Sequence, residues 1–229
     1  MRTDPDCSAG LCVVYSDDAI VVLDKPPGLL SVPGRGADKQ DCLSARVQAR
    51  FSGALVVHRL DMATSGLIVM ARGAVAQRTL SEAFANRMVA KQYEAVVFGN
   101  VTRGLDSWRV VDLPIAVDWP NRPRRVISQE GGKASVTRLQ TTHFDAQSQI
   151  CHLVLEPLTG RTHQLRVHLQ AIGHPILGDQ LYASPEVAAM APRLLLNASA
   201  LTFAHPISGR TMQFSRQHLK CTSESSTEC

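Results

Sequence analysis

The stretch Leu55-Val56-Val57-His58-Arg59-Leu60-Asp61-Met62-Ala63-Thr64-Ser65-Gly66-Leu67-Ile68-Val69-Met70-Ala71 decides how the chain is read. Its two ends, Leu55–Val57 and Leu67–Ala71, are short and nearly all apolar, the pattern of strands buried on both faces. The polar centre, His58 to Gly66, is too rich in turn formers to continue either strand. Asp61 is therefore expected close to the core but outside a strand. By itself such a carboxylate reads as a turn residue or a helix N-cap. In a low-dielectric setting it would need a cationic partner.

Working outward, Cys12–Leu23 is strand-like, interrupted by a turn at Ser16-Asp17-Asp18, and Lys25-Pro26-Pro27-Gly28 stops it. Leu29–Pro33 reads as extended and Gly34-Arg35-Gly36 as a flexible loop. Leu43, Val47 and Phe51 recur every four residues and predict a helix over 41–51, and Leu80 and Phe84 predict another over 74–86. Val89–Phe98 alternates as a strand. Residues 99–132, rich in Pro and Arg, read as a long loop. Thr137–Phe144 and Ile150–Glu156 can pair around Asp145-Ala146-Gln147-Ser148. Thr162–Ile172 is a third helix whose stripe is Leu165, Leu169 and Ile172, with Arg166 at its border. Leu194–Phe203 is another strand, and Thr222–Cys229 a frayed polar end. Helices and strand pairs mix without βαβ alternation. The expectation is one α+β domain with a mixed, largely antiparallel sheet flanked by helices.

Composition narrows the function classes. The 229 residues are 45% hydrophobic and 19% charged, which excludes disordered and low-complexity classes. No apolar run approaches a membrane span of about 18 residues, and no signal peptide is apparent. The net charge of +4 is uneven. Residues 1–24 carry one arginine against five aspartates, and residues 119–138 carry five basic side chains against one acidic. A basic body suits a polyanion. The six cysteines (7, 12, 42, 151, 221 and 229) form no CxxC pair and are expected as reduced thiols of a cytoplasmic protein. His163 and His168 are not spaced as ligands on one helical face, so no metal site is expected.

Three segments besides Asp61 carry candidate chemistry. Gly160-Arg161-Thr162-His163-Gln164-Leu165-Arg166 offers two arginines that could serve a nucleophilic carboxylate, or simply surface ion pairs. Tyr93 could stack on a nucleobase or sit in the core. Trp119-Pro120-Asn121-Arg122-Pro123-Arg124-Arg125 joins an aromatic ring to guanidinium groups, a mixture suited to RNA phosphates and unstacked bases.

Together the segments are more specific. His58-Arg59-Leu60-Asp61-Met62-Ala63-Thr64-Ser65-Gly66 resembles the HRLDxxTSG motif of the RluA-type pseudouridine synthases. Lys25-Pro26-Pro27-Gly28-Leu29 resembles their KPxGL segment, and Lys91-Gln92-Tyr93 their KxY strand. Gly160-Arg161-Thr162-His163-Gln164-Leu165-Arg166-Val167-His168 is similar to GRxHQLRxH, and His174-Pro175-Ile176-Leu177-Gly178-Asp179 to HPIxGD. The match is ordered and spans about residues 18–214. Asn197 departs from the pattern, standing where relatives usually have His. The resemblance implies a catalytic domain over 12–216, an N-terminal extension over 1–11, a polar tail over 217–229 and no S4 domain.

It also implies an enzyme that isomerises uridine in structured RNA, without cofactor or metal. The closest branch acts on a 23S rRNA hairpin and a tRNA anticodon stem-loop. By that resemblance Asp61 works at the sugar, paired with Arg166, and Tyr93 stacks on the flipped uracil. Arg59 fills the gap in the stack and Leu196 walls the base. Thr64, Arg161, Arg122 and Arg125 are expected to touch substrate. A monomer suffices. Two rivals stand beside this reading: a non-catalytic RNA-binding module, and a nucleoside hydrolase using Asp61, which would want a second carboxylate.

Overall fold

The computed structural model describes residues 6–8, 10–101 and 107–216. The tail over 217–229, with Cys221 and Cys229, lies outside them. One large sheet runs through the molecule. Its N-terminal part holds β1 (Asp6–Ser8), β2 (Leu11–Ser16), β3 (Ile20–Lys25), β4 (Ala54–Val56) and β5 (Ser65–Arg72). Its other part holds β6 (Ala90–Phe98), β7 (Arg109–Asp112), β10 (Val136–Asp145), β11 (Ile150–Pro157), β12 (Leu196–Ala204) and β13 (Thr211–Ser215). The strand order is β1-β2-β3-β5-β12-β6-β11-β10-β7, with β4 added to β5 and β13 to β12. A separate hairpin pairs β8 (Ile115–Val117) with β9 (Arg125–Ile127). Only β5 and β12 run parallel among these pairs, so the expected α+β domain with a mixed, largely antiparallel sheet is what forms.

The apolar runs are explained by cover on both faces. Leu23 and Ile68 pack with Leu43 and Val47 of α1 (Leu43–Arg50). Their neighbours Val22 and Val69 face the other way, onto Ala76 and Leu80 of α2 (Ala74–Ala85). In the second half, Ala95, Val97, Leu139, Leu153 and Leu155 bury against Leu165 and Leu169 of α3 (Gln164–Ala171). Each helix thus seals one patch of sheet with the stripe its spacing announced.

Several expectations need correction. The span 99–132 is not all loop, since it supplies β7, β8 and β9. These strands are four residues or fewer, too short to show a period; β7 forms on the distant β10, and β8 and β9 pair with each other. The span 34–36 leads into a single 3₁₀ turn, Ala37–Lys39. The strand β13 and the short helix α4 (Pro185–Ala189), capped by Ser184, were not foreseen. Asp6–Ser8, within the expected N-terminal extension, is an edge strand of the sheet. Cys7 and Cys12, expected reduced, form a disulfide, because the β1–β2 register sets them opposite each other with Cα atoms 3.9 Å apart. Cys42 and Cys151 are buried free thiols.

Among the described residues, the two parts of the sheet pair only through β5 and β12, where Ser65 faces Asn197 and Gly66 faces Ala198. Gly66 has φ 109°, and a Cβ there would lie 2.6 Å from the Ala198 nitrogen and closer still to its carbonyl oxygen. No side chain fits between these backbones. Gly66→Ala is expected to lower the unfolding free energy by about 3 kcal/mol. Urea unfolding measures this, and a loss below about 1 kcal/mol would show that the strands can spread.

Candidate active site

Asp61 lies in the loop that leads into β5, and the Lys25–Ser31 segment holds that loop. The Lys25 ammonium is fully buried and donates to the carbonyls of Pro26 (2.9 Å), Leu29 (2.8 Å) and Met62 (3.0 Å). The Gly28 N–H donates to the same Met62 carbonyl at 2.8 Å. Ser31 grips Leu60 on both sides, donating to its carbonyl (2.7 Å) and accepting from its N–H (3.1 Å). Burial pulls the Lys25 pKa down to about 8, opposed by the charge of Asp61, so the ammonium persists at neutral pH. Thr64 is buried and its N–H closes a turn onto the Asp61 carbonyl at 3.1 Å. His58 is a prop: its Nε2 accepts from the Val69 N–H (3.1 Å) and its ring stacks on Phe84. Burial, with the nearby Lys91 charge, drops its pKa to about 3.

Tyr93 sits on β6, facing Ala198 across β12 and Leu155 across β11. It lies where the core clusters of the two halves meet. Burial, then the charge of Asp61, pushes its hydroxyl well above the usual phenol range. It is a neutral phenol at working pH. Leu196 opens β12, is 3% exposed and shares a core cluster with Tyr93.

Arg166 is not at a border. It is 4% exposed and its guanidinium grips Asp179, not Asp61, through two bonds of 2.8 and 2.6 Å. Asp179 is itself buried and also accepts the N–H groups of Leu181 (2.9 Å) and Tyr182 (3.1 Å). The expected Arg166–Asp61 pair is therefore replaced by a field effect, since Asp61 still favours the charged arginine at a distance. A buried guanidinium needs a bidentate partner within reach, and Asp179 meets that need better than a loop carboxylate. His163 faces the Asp61 carboxylate, its Nε2 3.9 Å from Oδ2. Gln164 and His168, one turn apart on α3, anchor the helix: Gln164 donates to the Val136 carbonyl and His168 bridges Thr137 and the Leu113 carbonyl.

The basic candidates are spread around this centre. Arg59 is exposed beside Asp61 in sequence. Arg161 is exposed and its Nε donates to the Ala134 carbonyl at 3.3 Å. Arg122 lies 3.6 Å over the ring of Trp119, which is 68% exposed at the tip of the β8–β9 hairpin. Arg125 lies in β9, and its N–H donates to the Tyr182 hydroxyl at 2.8 Å. Arg124 reaches the Leu181 carbonyl. The hairpin is thereby docked beside the site. Sequence reading missed His163, Tyr182, Asp179 and Lys25 as members. A signal existed for Asp179, because an arginine facing the apolar side of a helix requires a buried counter-charge. Among the described residues, no group of three His, Cys, Asp or Glu could hold a metal.

A family model described as RNA pseudouridylate synthase matches residues 19–171. The chain belongs to that family, in its RluA-type branch, and is an RNA pseudouridine synthase. It is 48% identical over 211 residues to the dual-specificity RNA pseudouridine synthase RluA of Escherichia coli (strain K12), covering 92% of this chain and 94% of that one. The RluA of Haemophilus ducreyi is 43% identical over 208 residues, 89% of this chain and 91% of its own. Human RNA pseudouridylate synthase domain containing 1 superposes with a TM-score of 0.75 at 27% identity, over 94% of this chain and 86% of the other.

The two classes of ion pair should differ in weight. Asp179→Asn strands a buried guanidinium and is expected to cost about 3–5 kcal/mol of stability. Glu156→Gln breaks the half-exposed Arg138–Glu156 contact and is expected to cost under about 1 kcal/mol. Paired denaturation curves check both.

Proposed function

We propose that Asp61 acts at the ribose of a uridine flipped out of an RNA loop, and that the RNAs are a 23S rRNA hairpin and a tRNA anticodon stem-loop. The observation that carries this is the half-buried Asp61 carboxylate, on a loop pinned by Lys25, Gly28 and Ser31, with the neutral Tyr93 phenol and Arg166 within its field. The two bacterial RluA relatives named above are dual-specificity enzymes, which favours two RNA substrates over one.

In the reaction the C1′–N1 bond of uridine breaks, the uracil turns, and C1′ joins C5. The proton leaves C5 and N1 gains one, so atoms balance without a cofactor. Extruding the base costs a few kcal/mol, less where it is already unpaired. Asp61 either attacks C1′ or removes the C2′ proton. Tyr93 stacks on the flipped uracil, and its position suits assistance in loss of the C5 proton. Leu196 walls the base, and Arg59, exposed at the rim, fills the space the base leaves. Thr64 shapes the turn behind Asp61. Arg161, Arg122 and Arg125 lie on the basic periphery and supply phosphate contacts, with the exposed Trp119–Arg122 stack a platform for an unstacked base. A hydrolase reading would want a second working carboxylate. Asp179 is taken up by Arg166 and two backbone N–H groups, which favours isomerisation. The enzyme works as a cytoplasmic monomer.

Tritium at uridine C5 of each hairpin reports the reaction. Wild type is expected to release it and Asp61→Asn to release none while binding RNA normally; turnover by the variant would remove Asp61 from this role. The double variant Arg122→Ala, Arg125→Ala is expected to reduce the salt slope of RNA binding by up to about 2. An unchanged slope would take the hairpin out of the interface.

A further inference from the structure

We propose that His163 is the positioning residue for Asp61, donating from Nε2 to its carboxylate, with Tyr182 selecting the imidazole tautomer that makes this possible. The proposal rests on the reading that Asp61 works at the sugar.

Hydrogen-bond complementarity at both ring nitrogens of His163 points to the tautomer. The Tyr182 oxygen accepts the Arg125 N–H at 2.8 Å. Its own single proton is left for its other neighbour, His163 Nδ1, at 2.7 Å. A neutral imidazole carries one N–H, so Nδ1 as acceptor puts the hydrogen on Nε2. That nitrogen faces Asp61 Oδ2 at 3.9 Å. The opposite tautomer would aim a lone pair at a carboxylate. The contact is about 1 Å longer than a hydrogen bond, a distance that a turn of one side chain closes, and catalytic hydrogen bonds commonly tighten only with substrate in place.

The surroundings keep His163 neutral. Burial and the charges of Arg166 and Arg125 oppose its protonation more than Asp61 and Asp179 favour it, so its pKa lies below the ordinary histidine value. A neutral donor can fix one carboxylate oxygen without cancelling its charge, leaving the other oxygen for the sugar. An arginine in the same place would engage both oxygens. Asp179 holds the Nε and Nη2 of Arg166, and the guanidinium lies 4.9 Å from the Tyr182 ring, helping to set that ring against His163.

The backbone supports the assignment. His163 has φ 58° and ψ 14° at the start of α3, the left-handed region where Gly or Asn sits more easily. Strain of this kind persists where the side chain has work to do. The imidazole is held by ring contact with Tyr182 and is only 10% exposed.

The choice of test variants follows. His163→Asn suits the left-handed backbone and places its amide near the Nδ1 position, too short to reach Asp61. His163→Gln places its amide near Nε2 and can restore the donor. Single-turnover and steady-state tritium release should show kcat about tenfold lower in the Asn variant, the worth of one hydrogen bond to a charged group, with KM within twofold of wild type. The Gln variant is expected to recover most of the loss. Tyr182→Phe should lower kcat with KM unchanged, and it carries the test should the Asn variant fail to fold. Histidine 15N NMR on the full chain should show the Nε2–H tautomer at His163. The proposal is overturned by an Nδ1–H tautomer, by full kcat in the Asn or Phe variant, or by a Gln variant no better than Asn. Asp61→Asn run alongside separates the two readings: if it turns over, the Asp61 assignment itself fails; if it is dead while His163→Asn is fully active, only the positioning role fails.

Discussion

The β5–β12 pairing joins two half-sheets through two residue pairs, Ser65 with Asn197 and Gly66 with Ala198. Among the described residues, every other strand pairing in the large sheet lies within one half or the other. Because the join is parallel and short, both strands begin at the same end, and the segments that lead into them open side by side. One such segment carries Asp61. The other leads to Leu196. Tyr93, opposite Ala198 on the next strand, completes the row. A side chain at Gly66 would force the halves apart, and with them the site.

Electrostatic demand is met around this join in separate compartments. Lys25 gives its ammonium to three carbonyls and so fastens the Asp61 loop from below. Arg166 and Asp179 satisfy each other, and Asp179 also ties down the turn that carries Tyr182. Both cations act on Asp61 through space, while Lys25 Nζ and the Nε and Nη2 of Arg166 are engaged elsewhere. The carboxylate is left beside neutral partners, Tyr93 and His163, in a position where it can meet a substrate atom rather than a counter-ion. Buried pairs of this kind add little net stability but define one arrangement.

Much of the architecture was legible because burial writes itself into local pattern. Leu67–Ala71 and Ile20–Leu23 are apolar throughout because α1 and α2 cover both faces. Leu165 and Leu169 marked the buried stripe of α3. The strands β7, β8 and β9 were not legible, being three or four residues each and too short to show a period. The Cys7–Cys12 pairing depends on a hairpin register that spacing does not state. Arg166 was assigned to Asp61 because both stood in matched motifs, and its true partner, thirteen residues on, stood in a third.

The amino-acid order by itself determined the longer segments of regular structure, the candidate carboxylate and the family, since each is a property of short runs of side chains in a given sequence. Tertiary structure decided which charge meets which. It sent Arg166 to Asp179, Lys25 to the Met62 carbonyl and His163 to face Asp61, contacts that span 13, 37 and 102 residues. The reason is physical: a hydrogen bond or ion pair is chosen by distance and desolvation among all groups that the folded sheet brings within reach, and that list does not exist until the two half-sheets have joined.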